Sequence, residues 1–255
     1  MQRNQRSATV VPQGDVAKVS KPIFYPSGDG KPMAESSLHA LELMRLLMLL
    51  MVRYRQFVDV IVIGNIFLFY EEGDQRKRLS PDVMVTMGVP RELLGASYFL
   101  WQIGKAPDFI IEVTSHSTRG EDRNKKRTIY QQIGVREYFL YDPEGDWVRG
   151  GLQGYLLVDG VYEPIVAAGD RSLESETVGL RLVLEGGRLQ LYDRESGERL
   201  LSPQEMLVAA EAGAAFEEQA RRAAEARATA EVQVRLALEA RLAELEGRGQ
   251  EPKSN

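Results

Sequence analysis

Residues 106–143, APDFIIEVTSHSTRGEDRNKKRTIYQQIGVREYFLYDP, constrain the fold of this chain more than any other stretch. Two apolar runs, 108–114 and 137–141, are built from the β-branched and aromatic residues that suit strands. Between them a basic run over 120–132 predicts a helix stopped by Gly134, a good residue for the left-handed C′ position. Within DFIIEVT, strand alternation sends Phe109, Ile111 and Val113 to one face and Asp108, Ile110, Glu112 and Thr114 to the other. Glu112 therefore sits mid-strand beside Ile110. Burying an ionised carboxylate there costs several kcal/mol unless a cation or basic side chain compensates it. On an edge strand the same residue would simply face water.

The remaining elements extend this frame. Residues 1–32 are polar and proline-bearing, an extended arm. Residues 33–55 predict a helix capped by Ser36 or Ser37, with Leu38, Leu41, Met44 or Arg45, and Met48 at helical spacing. Residues 58–62 and 66–70 read as strands joined by a Gly64-Asn65 hairpin turn, and 82–87 as a third strand opened by Ser80-Pro81-Asp82. A connection over 88–105 holds a short helical piece. The order α-β-β-β-α-β predicts an α/β (α+β) domain, a mixed β-sheet core with flanking helices. Strands at 155–158, 161–166, 180–184 and 189–192 read as a β-meander extension, with Gly186-Gly187 as a hairpin turn, so the domain spans 33–201. Residues 202–255 are the third segment, where 203–246 are almost purely Ala, Glu, Arg and Leu, one long helix. Leu238, Leu242 and Leu245 fit coiled-coil spacing, but Glu231 and Arg235 break it one heptad earlier.

Composition narrows the chemistry. With 255 residues and no cysteine, the chain has no disulfide, zinc-thiolate site or cysteine nucleophile, which fits a cytoplasmic address. Its longest apolar run, 46–52, is too short to span a bilayer, so no membrane partner is expected. The net charge of −5 is uneven. Residues 201–255 carry seven Lys/Arg against ten Asp/Glu, leaving −3 in the tail. Basic residues cluster as Arg76-Lys77-Arg78 before Asp82, and as Arg119, Arg123, Lys125, Lys126 and Arg127 after Glu112. Such clusters are commonly solvated surface, but phosphate contacts need only local positive charge. No GxGxxG or GxxxxGK[ST] loop and no GxSxG elbow occurs, which disfavours nucleotide-dependent and serine-hydrolase chemistry.

On the predicted helix, Asp122, Lys126 and Tyr130 form one stripe at i, i+4 and i+8. That stripe is either a surface ion pair with an aromatic neighbour or a lysine standing over two acids. Glu35, near the start of the first long helix, suits simple dipole compensation as well as a site role. His116 lies in the loop after Glu112, and His39 is the only other histidine.

Taken together, Pro81-Asp82, then Glu112-Val113-Thr114-Ser115-His116-Ser117-Thr118, then Asp122, Lys126, Tyr130, Gly134-Val135, Glu137-Tyr138-Phe139 and Asp142-Pro143 resemble the Uma-type restriction endonucleases of the PD-(D/E)XK nuclease superfamily. The match spans roughly residues 33–143 at fixed spacing, and the charged C-terminal helix is also similar to tails in this family. The resemblance implies a restriction-endonuclease-like fold and Mg²⁺-dependent hydrolysis of DNA phosphodiesters, with Mn²⁺ able to substitute. Asp82, Glu112 and the Val113 carbonyl would hold the metal, and Lys126 would serve the attacking water. Glu35 is the looser, helix-borne acid, and Arg123, Lys125 and Arg127 would steer the DNA backbone. The superfamily's lysine slot two residues after the second acid is Thr114 here, so the lysine is expected from the helix, with Lys125 adjacent to Lys126 as an alternative. A nuclease fold that only binds nucleic acid or protein is the rival reading, and a homodimer stays open.

Overall fold

The structure, a computed structural model, describes residues 9–10, 23–26, 37–114 and 121–248, leaving aside the side chains of 9–10, 121–123 and 244–248. The chain divides into two compact units, Met1–Ser202 and Pro203–Asn255.

In the first unit the strands are β1 (Thr9–Val10), β2 (Phe24–Tyr25), β3 (Val60–Ile63), β4 (Leu68–Phe69), β5 (Arg78–Leu79), β6 (Val83–Met87), β7 (Tyr98–Phe99), β8 (Phe109–Val113), β9 (Glu137–Tyr141), β10 (Leu152–Val158), β11 (Val161–Pro164), β12 (Leu173–Ser175), β13 (Leu180–Glu185) and β14 (Arg188–Asp193). Helices α1 (Ser37–Arg53), α2 (Leu100–Ile103) and α3 (Glu121–Ile133) lie among them. The main sheet has six strands in the order β11-β10-β9-β8-β6-β3. Only β8 and β9 run parallel, because α3 carries the chain back to the same end of the sheet. Both strands are buried throughout, as a parallel pair covered on two faces must be. Gly134 ends α3 at φ 86°.

Alternation divides the core in two. Phe109, Ile111 and Val113 join Phe139, Tyr141, Val83 and Val85 on the face covered by Leu43, Leu46 and Leu50 of α1 and by the β12-β13-β14 sheet. Ile110, Met84, Tyr138 and Leu140 face Tyr130 of α3 and Leu68 and Tyr98 of a small β5-β4-β7 sheet.

Three expectations are corrected. The Gly64-Asn65 turn is not a hairpin: β3 pairs antiparallel with β6, and β4 belongs to the small sheet. Gly64 is instead a corner packed on the chain at Asp82, where a Cβ would stand 2.0 Å from the Asp82 carbonyl oxygen. Asn65, at φ 54°, donates its N–H to the Pro81 carbonyl at 2.8 Å. Second, the first half of the expected meander extends the main sheet, since β10 pairs with β9 and β11 with β10. The rest, with the unforeseen β12, forms a separate sheet in which Gly186-Gly187 makes the expected two-residue hairpin between Glu185 and Arg188. Third, the first helix is described from Ser37 and ends at Arg53, while 33–36, including Ser36, lie outside the described residues.

The second unit contains α4 (Pro203–Arg248). Among the described residues no helix is long and apolar enough to cross a membrane.

Candidate metal and phosphodiester site

Glu112 sits near the C-terminal end of β8, between β6 and β9, and is 5% exposed. Its face is the α3 face, so the strand itself aims the carboxylate at the helix. There Lys126 Nζ stands 2.9 Å from Oε2, and the Tyr130 hydroxyl donates to Oε1 at 2.6 Å. The i, i+4 spacing of these two residues places both on one side of α3. Lys126 also donates to the Ser80 carbonyl at 3.3 Å, tying the helix to the chain that leads into β6. Lys125, one position away, is exposed.

Asp82 immediately precedes β6. Its Oδ2 accepts the Val113 N–H at 2.8 Å, which locks it to the end of β8. The same oxygen lies 3.3 Å from Nε2 of His39, a buried residue on α1. Asp82 thus stands where both layers of the core meet: α1 reaches it from one side and the strand bearing Glu112 from the other.

Burial pushes Glu112 up to about 8. Lys126 opposes the rise, Asp82 adds to it as a like charge, and the Tyr130 hydrogen bond also opposes it. The Tyr130 hydroxyl is raised well above its ordinary value, chiefly by burial and then by the Glu112 charge. Two carboxylates close enough to repel, one of them buried, make a place where a cation is favoured.

The donor chemistry fits a hard divalent ion. Asp82 and Glu112 offer carboxylate oxygens, the ligands that Mg²⁺ and Mn²⁺ prefer, the chain has no cysteine, and among the described residues no clustered imidazole competes. Among the described residues no group of three or more His, Asp or Glu side chains comes together.

Other expected site residues fall differently. Arg127 is laid over the Tyr155 ring, 5.0 Å from its centroid, a cation–π contact on the side of α3 facing β10. Glu35, Arg119 and His116 lie outside the described residues, as do the Asp122 and Arg123 side chains. Two acids of the motif brace loops. Glu137 accepts the N–H groups of Glu176 and Thr177 and the Ser175 hydroxyl. Asp142 accepts four N–H groups between Glu144 and Val148.

Sequence reasoning missed His39 as a neighbour of Asp82, and it left Tyr130 without a partner. The histidine's only local signal is its isolation in the apolar helix LHALELMRLL.

The family model Uma2, described as "Putative restriction endonuclease", matches residues 30–185. A solved structure described as a putative nuclease belonging to DUF820, from Anabaena variabilis ATCC 29413, is similar at 15% identity with a TM-score of 0.41, over 62% of this chain and 79% of that one. A search of curated proteins finds no match.

Proposed function

Since the chain belongs to the Uma2 family, we propose that it is a Mg²⁺-dependent endonuclease that hydrolyses DNA phosphodiester bonds. The observation that carries this reading is the buried Glu112 carboxylate, held between Lys126 and Tyr130 beside Asp82. Such an arrangement is expensive to bury.

Asp82 and Glu112 would hold the ion, with Glu35 and the Val113 carbonyl as further candidates. When bound, Mg²⁺ supplies charge neutralisation at the phosphate and acidifies water. The protein's own groups do the rest. Tyr130 fixes the rotamer of Glu112 and leaves its other oxygen facing Lys126. The Val113 N–H and His39 orient Asp82. With Glu112 engaged by a cation, the Lys126 ammonium would hold the attacking water by a hydrogen bond or offset charge on the phosphoryl oxygens. Lys125 and Arg123 would meet the DNA backbone as phosphate contacts, which need exposure more than fixed geometry. Arg127 suits that role less, being stacked on Tyr155.

Nicking of supercoiled plasmid tests the reading. Cleavage is expected with Mg²⁺ or Mn²⁺, and is lost in EDTA and in Glu112→Ala. A wild type that binds DNA without cutting it under any divalent ion would leave a silent, binding-only nuclease fold.

A further inference from the structure

Between residues 38 and 52 the well-exposed side chains of helix α1 are all apolar. Between residues 38 and 52 the only acidic or basic residues besides His39 are Glu42 and Arg45. These two are turned to each other at 2.7 Å, and Glu42 also takes Arg188 Nε at 2.9 Å. What faces outward is Leu38, Leu41, Met44, Met48 and Met51, each between 40% and 56% exposed. The last four are spaced 3, 4 and 3 residues apart, the rhythm of a helix–helix seam. The inward face, with Leu43, Leu46 and Leu50, is core. A helix with apolar residues on both its inward and its outward faces belongs to an interior.

We propose that this face is the seam of a symmetric homodimer, in which α1 of one protomer packs antiparallel on α1 of a second copy. Chemistry selects that occupant. A nucleic acid or an anionic membrane would call for exposed Lys or Arg along the face, whereas the one such residue between 38 and 52, Arg45, is largely buried against Glu42. A charged protein partner would find nothing to steer or register it. A second copy needs only what is present, because a two-fold axis makes one patch serve twice. With the axis passing between Met44 and Met48, each of these meets the other residue in the second copy. Unbranched methionines adapt to such a mirror contact.

The area, about 1,000 Å² counted over both protomers, reaches the lower bound for a specific interface. Five half-exposed side chains of this size offer on the order of 500 Å² per protomer, at the upper end for a monomer's largest patch. Ala40, Leu47 and Val52, which flank the stripe, extend it toward the roughly 800 Å² per partner of a standard interface. The same helix reaches the candidate site from its opposite, buried face, where His39 contacts Asp82. The proposal does not depend on the endonuclease reading.

Sedimentation of the full chain tests it. Wild type is expected to be dimeric at micromolar concentration, and Met44→Glu or Met48→Glu to weaken the dimer by about 100-fold or more. The double variant Met44→Glu/Met48→Lys should recover it, and Leu238→Glu/Leu242→Glu in α4 should leave it intact. Because the chain has no cysteine, a mixture of Met44→Cys and Met48→Cys proteins should cross-link on oxidation even if the charged variants fold poorly. A monomeric wild type, with or without added vesicles, would overturn the proposal. So would a dimer unmoved by both glutamate substitutions, or one abolished by the α4 change.

Discussion

Lys126 and Glu112 meet at 2.9 Å with both side chains almost wholly buried, 12% and 7% exposed respectively. Removing either partner leaves the other buried without its ion-pair partner, so the pair is weak evidence for stability in its own right. Lys126→Ala should abolish metal-dependent cleavage while leaving DNA binding nearly intact. Lys125→Ala should weaken binding and flatten its salt dependence by about one ion's worth. Cleavage at saturating protein separates the two; a dead Lys125→Ala beside an active Lys126→Ala would reverse the assignment.

The metal expectation is tested directly by titration. Calorimetry with Mn²⁺ should show binding to wild type, and its loss in Glu112→Ala and in Asp82→Ala. Equal binding by wild type and both variants would remove the two carboxylates from the site.

The pH dependence follows from the raised Glu112. Folding lifts this carboxyl from an ordinary 4.5 to about 8, so its protonated form favours the fold. That contribution is complete below about 4.5 and is lost as pH climbs through about 8. In metal-free denaturation, wild type should lose stability relative to Glu112→Gln between pH 5 and 9. Mn²⁺ affinity should rise over the same range, because the ion displaces a proton, and level off above pH 8. A pH-independent difference between wild type and variant would show that Glu112 is ionised throughout.

Tyr130→Phe deletes one hydroxyl and leaves a buried carboxylate oxygen unpartnered. A loss of about 1–3 kcal/mol is expected in chemical denaturation. An unchanged midpoint would mean that water replaces the hydroxyl.

Gly64→Ala would press a methyl group into the Asp82 carbonyl oxygen, a clash that only backbone movement relieves. It should cost about 1–3 kcal/mol and weaken Mn²⁺ binding together, since Asp82 moves with its own backbone. A lowered Tm with unaltered Mn²⁺ affinity would uncouple the corner from the site.

Alternation alone separated the faces of Phe109–Val113, and the helix period put Lys126 and Tyr130 on one stripe, because both patterns are local. Strand partners were not legible in the same way. Gly64-Asn65 suits a hairpin turn by composition, yet β3 finds its partner beyond an excursion that builds a second sheet. Leu152–Val158 has the look of an appendage, and only its register with β9 makes it part of the main sheet. His39 was invisible for a related reason: the residue it meets lies 43 positions further along the chain.

Those separations bear on when the site comes into being. Asp82 is oriented by residues 43 positions before it and 31 after it, and Glu112 by a helix 14 positions further on. The parallel β8–β9 pair cannot close until α3 and Glu137–Tyr141 have been synthesised, and contacts of such long range form late in folding. A nascent or partly unfolded chain therefore holds its acids apart. The arrangement of Asp82 and Glu112 thus depends on α1, β8 and α3 being docked together, and the pair is assembled by the tertiary fold rather than by any local segment.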